Sequence, residues 1–384
     1  MGVALLVDER WWFASRVREF YGRGTADRYD GPLTPEAVRD ALLGLGPHDV
    51  LAGWLPFEPG ADGSLVRPDR LEVVPHSEAA VVRAAGRTRS LSTRRGYGSA
   101  VDDAVRRIRT GELGKVVLAR AVDVDGGIDL LSAMRRAREI NPEVYAFVYD
   151  TAGPTSRASA LFGASPELLV RRSGPLVSSV PLAGSAPRDP DPEKDRAAAV
   201  ALLASEKDRA EHAFVVRHVV EGLEPLCQRV VAPVEPELVA TDAMWHLATR
   251  IQGVLADAAV SVVDVAVALH PTPAVCGSPR ELALPIIRES EGVSRDLYAG
   301  AVGWCDASGD GEWAVTLRAG QVVDGTIRLH AGAGVVGDSV GEDEWNETAA
   351  KLWTMERALG IEGSAGAVAR EHAIAGRDEG RGER

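Results

Sequence analysis

Two stretches of the chain carry carboxylates at spacings that invite a metal ion. In SEKDRAEHAFVVRH (205–218), Glu211, Phe214, Val215 and His218 recur at i, i+3, i+4 and i+7, which puts Glu211 on the apolar stripe of a helix. In EDEWNETAAKLWTM (342–355), Glu344, Glu347 and Lys351 share one helix face that continues into Met355. Magnesium takes a few hard oxygen ligands and fills its shell with water or a substrate oxygen, so two glutamates from different helices could hold it. The same residues also read as helix surface, with Glu347 and Lys351 as an i, i+4 pair and SEKDRAEH as a solvated charged face. Spacing leaves both readings open.

Other residues offer proton transfer and anion binding. Lys115 opens the apolar run KVVLA, and a lysine desolvated there has its pKa lowered and can act as a base. Glu167, after Pro166 in GASPELLV, would stay protonated in a dehydrated cleft and act as an acid. Either could equally be a strand-end charge reaching solvent. Arg318 in AVTLRA is expected within an apolar strand, aligned with Ala314 and Thr316, where it pairs with a protein carboxylate or grips one on a ligand. Gly332, Gly334 and Gly337 fit G-x-G-x-x-G, but the dinucleotide fingerprint needs a βαβ unit with a helix opening at the last glycine. Here GDSVGED delays the helix and the strand belongs to a hairpin. The glycines of AGAG, and Gly184 with Ser185 in PLAGSAPR (181–188), suit close approach of backbone amides to a carboxylate, or simply tight turns.

The elements that would position these groups follow from periodicity. Helical patterns cover about 97–110, with Val101, Ala104, Val105 and Ile108 on one face, about 191–228 with a break or kink near Ser205, and about 342–359 ending at Gly360. Strands are expected at 115–124, 144–150 and 167–172. A hairpin is expected between 311–320 and 326–334, turned at Asp324-Gly325. Hairpins and long excursions outnumber βαβ units, which predicts an α+β fold of large antiparallel sheets flanked by helices.

The bulk properties narrow the partners. A formal net charge of -13 on 384 residues argues against nucleic acid or an anionic membrane surface, while leaving room for a basic pocket that takes an anionic small molecule. With 45% hydrophobic and 26% charged residues the composition is that of a globular protein. Cys227, Cys276 and Cys305 are odd in number and lack metal spacing, which fits a reducing compartment. Asp8, Glu9 and Arg10 interrupt the apolar start, and Asp257 and Asp264 interrupt the run 254–269, so neither a signal peptide nor a membrane span is expected. A cytoplasmic location is expected.

Taken in order, GKVVLAR, FGASPELL, PLAGSAPR, SEKDRAEH, WHLATR, HPTPAVCG, DLYAGAVGW, GEWAVTLRA, AGAGVV and EWNETAAKL resemble the chorismate-utilising family. That family includes isochorismate synthase, salicylate synthase, anthranilate synthase component I and aminodeoxychorismate synthase component I. The resemblance spans roughly 95–360 and implies an anthranilate synthase component I-like α/β sandwich with a deep central cleft. Residues 1–94 are then a strand-rich portion of the same fold, 95–362 the chorismate-binding catalytic domain, and 363–384 a disordered tail. Glu211 and Glu347 match the Mg2+ ligands, and Arg318 and Lys351 match contacts to substrate carboxylates. Gly184, Ser185, Gly332 and Gly334 fall where backbone amides meet those carboxylates. Lys115 matches the residue that activates water, Glu167 the acid that protonates the departing hydroxyl, and His246 a histidine at the edge of the ring. Thr272, Ala274, Val275, Tyr298 and Leu317 fall at positions that shape the pocket.

Lys115 favours water over ammonia as nucleophile, so the resemblance implies isochorismate synthase, an isomerase that needs no glutamine amidotransferase subunit and is expected to be a monomer. Tyr298 and Val275 stand where Phe and Leu would be expected in that branch, which keeps salicylate synthase, with its pyruvate elimination, as the alternative. A non-catalytic chorismate-binding relative would have lost an acid, a base or a metal ligand.

Overall fold

In the computed structural model, described for residues 11–73, 87–125, 127–153, 157–241 and 244–361, the strongly patterned segments fold where their patterning puts them. The first helical pattern is the helix Arg94–Arg109, capped by Thr93, with Tyr97, Val101, Ala104 and Val105 buried. The longest one divides at Ser205 into Pro192–Ala204 and Glu206–Leu223 and stops short of the expected 228, because Cys227–Val231 is a strand of a nine-stranded sheet. Ser205 ends the first of these and, by accepting from the Asp208 amide at 3.2 Å, caps the second. The last is Gly341–Ala358, with Gly360 left-handed just beyond it. Asp324 and Gly325, at φ 50° and 77°, make the expected two-residue turn between the strands Ala319–Val323 and Thr326–Val335.

Every strand pairing among the described residues is antiparallel, and the strands form two large sheets and a small one. The ten-stranded sheet centres on Lys115–Asp125, Thr326–Val335, Ala319–Val323, Ala158–Ser165 and Tyr145–Asp150. The nine-stranded sheet centres on Leu176–Val180, Leu168–Ser173, Gly311–Val315 and Ala301–Asp306. Leu182–Pro187, Met244–Ala248 and Glu237–Ala240 form the third. An aromatic layer, Trp11, Phe13, Phe20, Phe147 and Tyr149 from one large sheet with Trp54 and Trp304 from the other, joins the two. Burial of such rings is the main favourable term here, and the Tyr149 hydroxyl adds a hydrogen bond across the layer to the Gly303 carbonyl at 2.8 Å. The helices Leu130–Ile140 and Gly341–Ala358 pack on the outside of the ten-stranded sheet, and Val262–Leu269 on strands of the nine-stranded one.

A larger correction concerns the hairpin. The strand expected over 311–320 is two strands, Gly311–Val315 in the nine-stranded sheet and Ala319–Val323 in the ten-stranded one. Thr316, Leu317 and Arg318 carry the chain from one sheet to the other, and Arg318 sits at φ 46° rather than in strand alternation with Ala314 and Thr316. A chain shared by two packed sheets has to turn sharply between them, and a left-handed residue does this where an extended one cannot. A second crossing runs antiparallel beside it, from Ala158–Ser165 through Pro166 and Glu167 into Leu168–Ser173. The two are tied by Val315 N to Glu167 O at 3.1 Å and Ala164 N to Arg318 O at 3.0 Å.

In the portion before residue 95, Trp11–Ala14, Glu19–Arg23 and Arg70–Val73 extend the ten-stranded sheet. Val50–Leu55, Gly63–Arg67 and Asp27–Gly31 extend the nine-stranded one. The start of the chain through residue 10 and the tail 363–384 lie outside the described residues. Among those described, no helix is long and apolar enough to cross a membrane.

Candidate active site

The paired crossings form one wall of a cavity enclosing about 1050 Å³ of empty space, mouth included, a size suited to a small organic ligand. Glu167, Leu317 and Arg318 come from the crossings, and Gly184, Ser185 and His246 from the small sheet. Glu211 comes from the helix Glu206–Leu223, Glu347 and Lys351 from Gly341–Ala358, and Gly332 and Gly334 from Thr326–Val335. Ala274, Val275 and Tyr298 complete the expected lining.

At the crossings the electrostatics are those of a dry site. Glu167 is buried, and burial pushes its carboxyl up to about 8 against the opposing pull of a backbone hydrogen bond with Leu182 and the charges of Lys115, Arg318 and Lys351. It is therefore protonated at neutral pH and able to donate. His246 is held well below its ordinary range by burial, with Arg318 and Lys351 adding to the effect, and its Nε2 has no hydrogen-bond partner. A neutral imidazole nitrogen facing a cavity without a partner is one a ligand can satisfy.

The opposite end is crowded with carboxylates. Asp208 and Glu344 line it with Glu211 and Glu347. Burial, then the neighbouring charge of Glu347, raises Glu344 to about 7; burial and Glu211 also raise Asp208, against the hydrogen bond from Ser205. Burial works to raise Glu347 as well, but the charge and hydrogen bond of Lys351, 2.5 Å away, outweigh it and hold Glu347 down. Lys351 also donates to the Gly332 carbonyl at 2.9 Å. Glu211 lies 2.8 Å from the Lys115 amine, at an angle too poor for a hydrogen bond, and Lys115 itself is fully buried. Gly334 makes room for this: a Cβ there would stand 2.3 Å from Glu211 Oε1 and 3.0 Å from Lys115 Cε. Gly184, at φ 78°, has a backbone few other residues adopt.

All the expected site residues line the cavity except two. Lys115 is fully buried outside the lining, with its amine 2.8 Å from Glu211, which does line the cavity. Thr272 is buried outside the lining, with its hydroxyl unpartnered. Residues absent from the expected site also line it, among them Val117, Lys207, Asp208, His330 and Glu344. Periodicity carried a signal for each. His330 shares a strand face with Gly332 and Gly334, and Val117 shares one with Lys115. Asp208 and Glu344 each lie three residues, and Lys207 four residues, before an expected ligand on a helix. Among the described residues no group of three or more His, Cys, Asp or Glu is arranged to hold a cation unaided. The donor set nonetheless fits a hard cation. It is all oxygen, drawn from two helices, and crowded enough to push its own members toward protonation, which a divalent ion with substrate or water ligands would relieve.

Residues 69–360 match the family described as chorismate binding enzyme. Isochorismate synthase DhbC of Bacillus subtilis is 39% identical, with 90% of this chain and 89% of that protein covered. The crystal structure of DhbC from Bacillus anthracis, assigned as an isochorismate synthase, superposes with a TM-score of 0.86 at 37% identity, covering 94% of this chain and 98% of that one. Anthranilate synthase component I from Streptococcus pneumoniae shares the fold, with a TM-score of 0.74 at 19% identity over 92% of this chain and 94% of that one.

Proposed function

The chain belongs to the chorismate-binding enzyme family, and from that premise we propose that it is an isochorismate synthase, an isomerase that converts chorismate to isochorismate in the cavity between the crossings and the two carboxylate-bearing helices. Beside the similarity along nearly its whole length to isochorismate synthase DhbC, one observation carries the reading. Glu167, a carboxyl held protonated, lines the cavity on one wall, and the fully buried Lys115 lies 2.8 Å from Glu211 on another. Moving a hydroxyl from one ring carbon to another requires one group that takes a proton from water and another that gives one to the departing hydroxyl.

Arg318 and Lys351 bind the substrate carboxylates, assisted by the backbone around Gly184, Ser185, Gly332 and Gly334. Glu211 and Glu347 would hold Mg2+, which when bound withdraws electron density from the ring through its carboxylate. Lys115 takes a proton from water as the water oxygen bonds to ring carbon 2. The double bonds shift, the bond from carbon 4 to its hydroxyl breaks, and Glu167 supplies the proton with which that hydroxyl leaves as water. One water enters and one departs, so product and substrate are isomers and the reaction is reversible. Val117, Val275, Tyr298 and Leu317 wall the ring away from solvent and so help to orient it. Because water is the nucleophile, no ammonia-supplying subunit is required, and the three free cysteines suit a cytoplasmic enzyme.

The test is to incubate the protein with chorismate and Mg2+ and separate the products by chromatography, with Lys115→Ala and EDTA as controls. Isochorismate in equilibrium with chorismate, lost in both controls, is expected. Salicylate with pyruvate would instead assign the chain to the salicylate synthase branch, and binding without turnover would make it a non-catalytic relative.

A further inference from the structure

The strand Lys115–Asp125 is paired on one side along its length by Thr326–Val335, but its other edge is covered only at the ends. Gly277–Ser278 pairs with Lys115 and Val116, and Cys276 O accepts from Val117 N at 2.8 Å. Arg87–Ser90 pairs from Val122 to Asp125. Between these, the Val117 carbonyl and the Ala119 amide meet side chains where a neighbouring strand would be. Arg295 Nη2 donates to Val117 O at 2.8 Å, and Glu291 Oε1 accepts from Ala119 N at 2.7 Å. The two side chains, 2% and 5% exposed, pair with each other through Arg295 Nε and Glu291 Oε2 at 2.8 Å and through Nη2 and Oε1.

The guanidinium reaches further. Its Nη1 donates to the Val275 carbonyl at 2.6 Å, and it lies 4.2 Å from the centre of the Phe57 ring and 6.0 Å from that of Tyr298. The Arg295 carbonyl accepts from the Tyr298 amide at 2.8 Å and from buried Gln321 at 2.9 Å. Val117, Val275 and Tyr298 line the cavity, and they come from three separate segments of the chain.

We propose that Arg295 and Glu291 are a positioning pair for catalysis: they set Val275 and Tyr298 of the cavity's apolar wall against Val117 on the strand that begins at Lys115. The substrate named in the test rests on the isochorismate synthase reading. A buried ion pair is a poor source of stability, since two well-packed apolar residues often serve as well. What an apolar pair cannot do is fix the distances among three chain segments, as a planar fork of five donors does. Neither residue touches the cavity's reacting groups, so the effect passes through the wall.

The experiment compares Arg295→Lys and the double variant Arg295→Met/Glu291→Leu with the wild type, measuring thermal unfolding, kcat, KM and the calorimetric Kd for chorismate with Mg2+. Arg295→Lys keeps the charge and loses the fork; the double variant removes both charges and strands neither. The expected result is folded protein in which KM and Kd rise together by at least about tenfold, the scale at which small misplacements act. Wild-type KM and Kd in either folded variant, or a loss of thermal stability alone, would overturn the proposal. If Arg295→Lys does not fold, the double variant decides, and Glu291→Asp, which keeps the pair and withdraws from the Ala119 amide, is measured in the same way. Wild-type protein that binds chorismate but forms no isochorismate would sink the activity and leave the affinity comparison intact.

Discussion

The two ends of the cavity place their chemistry by different means. At the crossings, Glu167 and Arg318 are fixed by backbone: adjacent chain segments hydrogen-bonded to each other, and left-handed conformations at Arg318 and at Ala299. At the helix end the carboxylates sit on longer leashes, Glu211, Glu344 and Glu347 beside lysines and Asp208 beside Ser205, and their charges repel one another. The first end is held by backbone hydrogen bonds between its own segments, the stiffness that proton delivery by Glu167 on the proposed reading would use. The second is a cluster of carboxylates whose mutual repulsion Lys207 and Lys351 offset only in part. Damage to the crossings should therefore appear in the chemical step, and damage to the helix end in the dependence on Mg2+.

The largest expected effect is at the crossings. Glu167→Gln keeps the shape and removes the proton donor, so kcat should fall by about 10²- to 10⁴-fold while half-saturating Mg2+ is unchanged; a shift in Mg2+ dependence instead would erase the contrast. With the folded carboxyl near pH 8 and the ordinary value at 4.5, wild-type activity should fall as pH rises through about 8. Stability follows the same group. The folded state holds a proton that the unfolded state releases, so the contribution is full below about 4.5 and is lost as pH rises to about 8. Thermal unfolding from pH 5 to 9 should then show Glu167→Gln losing less stability than wild type, and equal losses would contradict the assignment.

The helix end gives two smaller effects of the other kind. Gly334→Ala places a methyl 2.3 Å from the end of the Glu211 side chain, which can swing away, so the protein should fold and lose activity by about 10²-fold through a misplaced carboxylate. Activity titrated with Mg2+ should require more metal to saturate. Arg120 acts from further off, donating to Thr348 at 2.7 Å and lying 3.9 Å from the centre of the Trp345 ring, on the helix that carries Glu344 and Glu347. Arg120→Lys should raise half-saturating Mg2+ by about tenfold with kcat at saturation nearly kept; the reverse split would place Arg120 with the crossings.

The same contrast explains what could be read from sequence. The helix end was legible because helical spacing is local. Glu211 against Phe214 and Val215, and Glu347 against Lys351, fall on shared faces wherever the helix goes, and the break expected near Ser205 falls at that residue. The family resemblance then selected among readings that spacing left open. The crossings were not legible in the same way. TLRAG continues an apolar alternation without interruption, and nothing local distinguishes Arg318 as left-handed; the turn is imposed by two sheets that share the strand. The match of Glu167 to an acid came from the resemblance, whereas its protonation depends on burial by segments distant in sequence. Thr272 lies next to lining residues in sequence but outside the lining itself, because which way a neighbouring residue faces is set by the fold.

Ala299 offers the finest test of the preorganised end. It lies at φ 59°, where a Cβ costs about 1 kcal/mol, and its amide donates to Thr316 O at 3.0 Å on the crossing that leads to Arg318. Glycine removes the steric cost but adds backbone freedom to the unfolded chain, worth roughly 0.5–1 kcal/mol in the other direction. Ala299→Gly should therefore leave the unfolding temperature almost unmoved. If hydrogen bonds between the crossings hold Arg318, activity should change by less than about threefold, since a single backbone substitution away from the reacting groups leaves those bonds in place. A larger loss with unchanged stability would mean that the stiffness of Ala299 itself, rather than the paired crossings, keeps the guanidinium aimed into the cavity.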